Sequence, residues 1–156
     1  MSYTQAPPLT DIEIESLLNE ALIARICTHN PDGTIHAAPI WFRYEKGVIL
    51  IGTPKKSRKA NNIRKNSKVT VLVDVDGPPT RGVIIYGVAE LDDLDSRGMM
   101  TEGVTIFNRY MSEEKALVYA KGLDKISKWV KITITPNKIS SFNYGKDEYY
   151  RKMTQG

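Results

Sequence analysis

The chain has 156 residues, a length typical of one domain, and its 41% hydrophobic and 26% charged residues are typical of globular proteins. It has no apolar run of about 18 residues and no basic, apolar leader, so we expect neither a membrane span nor a secretory signal. The default location is cytoplasmic. A single cysteine, Cys27, excludes an intrachain disulfide, and with only two histidines no metal centre is predicted.

The net charge of +4 is concentrated in one segment. Residues 55–68 contain seven basic side chains and no acidic one, whereas the rest of the chain contains 15 basic and 18 acidic ones. The segment therefore predicts a local anion site on an otherwise balanced protein. It contains no aromatic residue. Because aromatic side chains stack on the bases in single-strand binding sites, a nucleic-acid interface is the weaker interpretation.

The first predicted elements are a leader, a helix and three strands. Residues 1–9 contain two prolines and predict a flexible leader. Thr10 and Glu13 have the spacing of a capping box, so we predict a helix over 11–21. Apolar and β-branched runs, separated by turn residues at 30–33 and 45–47, predict strands over 22–28, 34–44 and 48–53.

The basic segment follows the third strand and predicts a short helix. Ser57 is the predicted N-cap, and Ala60 and Ile63 give this helix one apolar edge. The remaining predicted elements are strands over 69–75 and 81–91, one or two helices within 95–121, and strands over 129–135 and 139–144 around a turn at Pro136–Asn137. The predicted packing positions of the helical region are Met99, Ile106, Tyr110, Leu117 and Tyr119.

Six or seven strands linked mostly by short turns predict a mainly β, α+β fold. We expect a small antiparallel barrel with peripheral helices. The domain is predicted over residues 10–146, and a mobile tail over 147–156.

The sequence contains no motif of a self-sufficient active site. It has no G-x-S-x-G elbow, no H-E-x-x-H pair, no Walker loop and no G-x-G-x-x-G. We therefore assign no catalytic side chain and no metal ligand, and expect a bound cofactor to supply any redox chemistry. Cys27 lies in an apolar strand and is interpreted as a small core residue.

The start of the predicted helix after the third strand is a candidate phosphate site. Ser57 at the N-cap leaves backbone N–H groups facing outward, Arg58 offers a planar donor fork, and Lys59 adds a second cation. Thr53 adds a hydroxyl at the end of the preceding strand. The alternative, a solvated basic helix face, stays open on composition alone.

An ordered series of segments resembles the pyridoxamine 5'-phosphate oxidase-like flavin-binding split-barrel family. The resemblance spans roughly residues 10–146 and is closest to the branch that binds FMN or the deazaflavin coenzyme F420. The segments are Thr34–Phe42, Gly52–Thr53, Ser57–Ile63, Asn66–Val69, Arg81–Val83, Gly87–Leu91, Trp129–Pro136 and Ser141–Gly145.

The resemblance implies a split β-barrel homodimer with FMN, or alternatively F420, in each of two grooves at the subunit interface. Ser57, Arg58 and Lys59 match the stretch that holds the cofactor phosphate, and Gly52 and Thr53 match the strand end beside it. Asn62 lies on the nearby helix face. The strand whose backbone lies along the cofactor ring is matched by His36, Ala37, Ala38, Pro39, Ile40 and Trp41. The Trp41 side chain either stacks near that ring or fills the core or the dimer interface.

Departures from the family pattern argue against the vitamin-forming oxidase activity. His36 and Trp41 stand where that oxidase carries basic residues, Gly82 replaces a glutamine, and residues 147–156 lack its Arg/His signature. We therefore predict an oxidoreductase that transfers hydride or electrons between bound FMN or F420 and an unknown small organic substrate. The alternatives are a flavin- or haem-binding carrier without turnover and, less favoured, a nucleic-acid-binding module.

Overall fold

Seven antiparallel strands form one sheet in the order β2-β1-β5-β6-β7-β4-β3 in the computed structural model, which describes residues 6–155. The mainly β fold with peripheral helices that the sequence predicts is confirmed. The strands are β1 (Ala24–His29), β2 (Ile35–Ile40), β3 (Arg43–Glu45), β4 (Val48–Pro54), β5 (Lys68–Val75), β6 (Arg81–Leu94) and β7 (Trp129–Asn143).

The long strands β6 and β7 carry both halves of the split barrel. Residues 81–88 of β6 pair with β5, which leads to β1 and β2, whereas residues 129–134 of β7 pair with β4, which leads to β3. The two halves thus share the antiparallel pair of β6 and β7. One half pairs with β6 and the other with β7, at different positions along this pair.

A β-bulge lies where the two halves diverge. Gly87 pairs with Pro136 and Tyr86 with Lys138, so Asn137 is an extra residue. Proline has no N–H for the ladder, and a bulge is one of the few positions where a strand tolerates it. The predicted turn at Pro136–Asn137 is therefore wrong, because the two predicted strands are one continuous strand.

The predicted strand over 34–44 is also wrong in its continuity. It breaks at Trp41 and Phe42, because β2 and β3 lie at opposite edges of the sheet and the chain crosses between them. The backbone of Phe42 is bonded there by the side chains of Arg109 and Tyr110 rather than by a neighbouring strand.

The helices begin where local capping predicts. Helix α1 (Asp11–Leu18) has both bonds of the Thr10–Glu13 capping box, and it stops at Asn19, before the predicted end at residue 21. Helix α2 (Arg58–Lys65) begins after the predicted N-cap Ser57. The helical region after β6 consists of α3 (Ser96–Gly98), a π-helical turn (Met99–Gly103), α4 (Val104–Phe107) and α5 (Glu113–Ile126).

Two apolar clusters hold these elements together. The larger fills the barrel with side chains such as Leu18, Phe42 and Ile85, and the smaller packs the helical region on Trp129. Each fully buried Leu, Ile or Phe contributes about 1.5–3 kcal/mol of transfer free energy.

Four of the predicted packing positions are confirmed and one is wrong. Met99 and Ile106 are buried, Tyr110 is half-buried, and the Tyr119 ring packs on Phe107 although the residue is 40% exposed. Leu117 is 39% exposed, because α5 turns Ala116 and Ala120 toward the core instead.

The N-terminal end of the described chain lies on the sheet, and the C-terminal helix packs on the turn that follows β7. Ala6 and Leu9 are buried, and the Leu9 N–H donates to the Ser141 hydroxyl over 2.9 Å. Helix α6 (Glu148–Gln155) places the Tyr150 ring 5.2 Å from that of Tyr144, measured between centroids. The mobility of segments 1–9 and 147–156 stays a prediction, and residues 1–5 and 156 lie outside the described residues. Over 6–155, no helix is long and apolar enough to cross a membrane.

Candidate functional site

The end of β4 and the start of α2 form a compact polar corner. Thr53 is fully buried, and its hydroxyl donates to the Ser57 hydroxyl oxygen over 3.1 Å. The same Ser57 oxygen accepts the Ala60 N–H over 3.3 Å, which is the N-cap bond. The structure therefore brings together Thr53, Ser57 and the first turn of α2, as the sequence predicts.

Two cations at this corner form no close ion pair, although the charge of Arg58, after the hydrogen bonds from Thr34, contributes to lowering the pKa of the exposed Asp32 carboxyl. Arg58 is exposed and Lys59 is half-buried, and neither forms an ion pair with a carboxylate anywhere in residues 6–155. Burial lowers the pKa of Lys59, because a cation removed from water loses hydration. The first-turn N–H groups also have no intrahelical acceptor, and the helix dipole adds positive potential. A phosphate group matches this donor set.

Two other basic residues of segment 55–68, Lys55 and Arg64, already interact with groups of the protein. The Lys55 ammonium lies 3.0 Å from Asp93, and Arg64 donates to the Lys55 carbonyl over 2.7 Å and to the Asn61 side chain over 2.8 Å. The segment is thus not one continuous free basic surface. The first turn of α2 is its candidate anion site.

Asn62 joins α2 to β1. It is only 1% exposed, and its amide donates to the Thr28 hydroxyl over 3.0 Å and to the Asn30 side-chain oxygen over 2.9 Å. These bonds give Asn62 a role in holding the helix against the sheet. Direct contact with a cofactor stays a prediction, as does the role of Gly52, where a Cβ would meet nothing within 4 Å.

The predicted ring-side residues 36–40 lie on β2, an edge strand. Within the described sheet β2 pairs with β1 alone, so its other backbone edge is unpaired. His36, Ala38 and Ile40 are half-buried, whereas Ala37 and Pro39 are exposed on the opposite face. An edge of this kind leaves N–H and C=O groups for the polar rim of a planar ring.

Trp41 leaves the strand and joins an aromatic cluster. Its ring stacks on Tyr110 with centroids 4.7 Å apart and planes 9° apart, and it meets Phe107 at 6.2 Å. These rings adjoin a cavity of about 340 Å³, which we name the aromatic cavity. The cavity is lined by Ile23, Pro39, Ile40, Trp41, Phe107, Tyr119, Leu123 and Trp129.

Sequence reasoning missed most of this cavity. Phe107, Leu123 and Trp129 were not predicted as site residues. The one available signal is the high density of aromatic residues between 107 and 119, which predicted packing but not a cavity. Trp41 thus packs on the helices, one of its expected alternatives.

Arg109 and Tyr110 clamp the helical region to the barrel. The Arg109 guanidinium donates to the carbonyls of Phe42, Leu18 and Glu20. The Tyr110 hydroxyl donates to the Leu22 carbonyl over 2.7 Å and accepts the Phe42 N–H over 3.1 Å. Burial raises the pKa of Tyr110, so its hydroxyl stays protonated as a donor. No sequence pattern indicates this clamp, because its partners are far apart in the chain.

Cys27 lies on the outer face of the sheet rather than in the core. It is half-buried, whereas its neighbours Ile26 and Thr28 point inward and are buried. The prediction of a core position is therefore wrong, since strand residues alternate between faces. Burial raises the pKa of the Cys27 thiol, which disfavours the nucleophilic thiolate. No cluster of three or more His, Cys, Asp or Glu suited to a metal occurs in residues 6–155.

Comparison with known proteins assigns the family. The sequence matches the pyridoxamine 5'-phosphate oxidase family over residues 10–135. The chain belongs to this family. A member of this family is expected to have the split-barrel fold, and the similarity of this chain to solved structures supports that expectation. Proteins of curated function give no match.

Three solved structures with folds similar to that of this chain differ in their described functions. A conserved hypothetical protein of Mycobacterium tuberculosis is 25% identical, with a TM-score of 0.74 and 91% of each chain covered. An F420 reductase is 28% identical, with a TM-score of 0.65 and coverage of 81% of this chain and 94% of the other. The haem storage protein of Vibrio cholerae, at 15% identity and a TM-score of 0.63 over 83% and 92%, shares the fold alone.

Proposed function

We propose that this protein is an FMN-dependent oxidoreductase whose cofactor phosphate binds at the first turn of α2. The observation that carries the proposal is the pair of cations Arg58 and Lys59, which form no ion pair within 4 Å in residues 6–155 and lie at a helix N-terminus. Half-burying an unpaired ammonium costs free energy, and a bound phosphate offsets that cost.

The remaining predicted residues have roles around this anchor. Ser57 and Thr53 shape the corner, and the unpaired edge of β2 from His36 to Ile40, continued by Trp41 beyond the strand, offers backbone groups to the ring. When bound, the flavin ring supplies the hydride and electron transfer. The protein binds and orients the cofactor, and a second copy of the chain completes each groove in a homodimer.

Coenzyme F420 is the alternative cofactor. The 28% identity to an F420 reductase supports it. Its longer anionic tail needs further free cations. Of the three candidates, Lys55 is paired with Asp93 at 3.0 Å and Arg81 with Glu20 at 3.9 Å, whereas the exposed Lys56 forms no ion pair in residues 6–155. This pairing favours FMN as the first candidate.

The first test identifies the ligand and then isolates the phosphate contact. Mass spectrometry of ligand extracted from the purified protein should find FMN or F420. In titrations of the ligand-free protein, Arg58→Ala and Lys59→Ala should each weaken FMN binding about 10- to 100-fold, because each removes a charged contact. Riboflavin, which lacks the phosphate, should bind all variants alike.

Lys65→Ala is the matched control, since it removes an exposed cation from the last turn of the same helix. It should leave FMN binding unchanged. If neither FMN nor F420 binds, the proposal fails, and haem bound in their place would support the carrier alternative. If Arg58→Ala and Lys59→Ala abolish FMN binding but leave any polynucleotide binding intact, these two cations serve the cofactor, and the nucleic-acid alternative loses its main support.

The second test asks whether the protein with bound cofactor catalyses multiple turnovers of a substrate. The loaded enzyme should oxidise its reduced cofactor in the presence of an organic acceptor from a substrate panel. Tight cofactor binding with no acceptor-dependent oxidation would indicate a carrier instead of an enzyme.

A further inference from the structure

The aromatic cavity has walls that suit a planar, uncharged molecule. None of its eight lining residues is Asp, Glu, Lys, Arg or His. A phosphate or carboxylate placed against these walls finds no ion partner among them and gives up part of its hydration, which costs free energy. The chemistry of the walls therefore disfavours a phosphorylated vitamin as the occupant.

The size and ring geometry of the cavity agree with an aromatic occupant. An apolar cavity of about 150 Å³ is enough to hold benzene, and this one measures about 340 Å³. Phe107 and Tyr119 meet edge to face at 5.0 Å, and Tyr119 is tilted against Trp41 at 5.9 Å. Rings held at such angles present both edges and faces, which are the two surfaces that aromatic ligands contact.

The cavity adjoins the proposed cofactor site. Pro39 and Ile40, the last residues of β2, form one wall. Trp129 forms another and pairs with Pro54, the residue after Thr53. The cavity is therefore bordered by the strand proposed to lie along the ring and by the strand end beside the phosphate corner.

We infer that the aromatic cavity is the substrate pocket and that it selects planar, uncharged aromatic molecules of about two fused rings. The word substrate rests on the proposed function, whereas the binding preference rests on the cavity walls. Tyr119 is the specificity-determining residue best suited to a test, because it borders the cavity and, at 40% exposure, is less buried than the neighbouring Phe107.

The two tryptophans of the chain, Trp41 and Trp129, both line the cavity, so their indole N–H signals report its occupancy. In nuclear magnetic resonance spectra of ¹⁵N-labelled protein, 2-naphthol should shift both signals. The anion 2-naphthoate, which has the same ring system, should bind at least about tenfold more weakly. Tyr119→Ala should weaken naphthol binding about 3- to 10-fold. Tyr149→Ala, the same change on exposed α6, should not.

The titration is run on ligand-free and FMN-loaded protein, which separates the two proposals. Naphthol binding without any FMN uptake would overturn the proposed function and leave a binding pocket that is not a substrate pocket. FMN uptake with unmoved indole signals would overturn the inference alone. Equal affinity for naphthol and naphthoate, or equal effects of the two tyrosine variants, would also overturn it. So would indole signals that move on protein dilution but not with naphthol, because a second copy would then cover the cavity.

Discussion

Lys59 shows how much of the proposed function depends on single side chains. Its ammonium is half-buried and has no carboxylate partner in residues 6–155, and burial lowers its pKa. Proteins rarely bury a lysine without a counter-charge. The side chain thus adds little to the stability of the free protein and is suited to meeting an anion.

The pH dependence of FMN binding follows from this lysine. Only the protonated ammonium attracts phosphate, so FMN affinity should fall as the pH rises through the alkaline range, and the fall should begin below the ordinary lysine pKa of 10.5. Lys59→Arg should retain affinity over the same range, because arginine stays charged. Titrations by flavin fluorescence measure both. An identical alkaline loss in wild type and Lys59→Arg would contradict the assignment.

Glu13 contributes a pH-dependent part of the stability. A hydrogen bond from Lys146, followed by those from Thr10, lowers the pKa of Glu13 from 4.5 to about 2. Because the folded-state pKa lies below the unfolded value, the carboxylate stabilises the fold above pH 4.5, and this stabilisation is lost as pH falls toward 2.

Glu13→Gln should therefore lower the melting temperature at neutral pH, and its difference from wild type should shrink as pH drops from about 5 to 3. Glutamine can still complete the capping box, so the change isolates the charge. Glu15→Gln, on the same helix, is the control. A pH-independent difference for Glu13→Gln would show that the charge does not matter.

At the scale of elements, the junction of β6 and β7 decides the shape of the barrel. The bulge at Asn137 places Gly87 against the backbone of β7, where a Cβ on Gly87 would lie 2.4 Å from the Thr135 carbonyl oxygen. Such a contact requires the backbone to move, because the obstacle is main chain rather than a flexible side chain.

Gly87→Ala should accordingly destabilise the protein by about 1–3 kcal/mol. Gly122→Ala is the matched control, since Gly122 lies exposed inside α5 with nothing within 4 Å of a Cβ. That control should stabilise the protein by about 0.5–1 kcal/mol through helix propensity. Urea denaturation measures both, and equal effects of the two substitutions would refute the close approach at the bulge.

At the scale of the whole molecule, one sheet face stays uncovered in a single chain. Leu72 and Ile84 pair across β5 and β6 and are half-exposed, and Ile35 and Tyr86 are 56% and 41% exposed around them. The Arg25–Asp74 ion pair lies beside Leu72 on the same face, and exposed apolar residues bordered by charged ones are typical of protein interfaces. This arrangement supports the proposal that a second copy of the chain covers this face.

Leu72→Asp should weaken the proposed dimer, because it adds a second carboxylate beside the Arg25–Asp74 ion pair, and this carboxylate must lose its hydration in the proposed interface. The position faces away from the core, so the monomer should stay folded by circular dichroism. Sedimentation should show a monomer, and FMN affinity should fall about tenfold or more as the grooves lose one wall. Val118→Asp, at a 71% exposed site on α5, should change neither. A dimeric Leu72→Asp protein would exclude this face.

The amino-acid sequence by itself determined the features that depend on neighbouring residues. The capping box at Thr10, the N-cap at Ser57 and most strand positions follow from local hydrogen bonds, turn chemistry and alternation. The family follows from ordered motifs along the chain. The grouping of Thr53 with Ser57 also spans only four residues, so this polar corner was predictable, whereas phosphate binding there stays a prediction.

Only the tertiary structure decided the features built by distant partners. The strand break at Phe42 depends on Arg109 and Tyr110, and the continuity of β7 through Pro136 depends on a glycine in β6. The aromatic cavity likewise joins residues from β2, the helical region and β7. Contacts of this kind depend on how well the surfaces of distant elements fit together when they pack. A local sequence pattern carries no information about that fit.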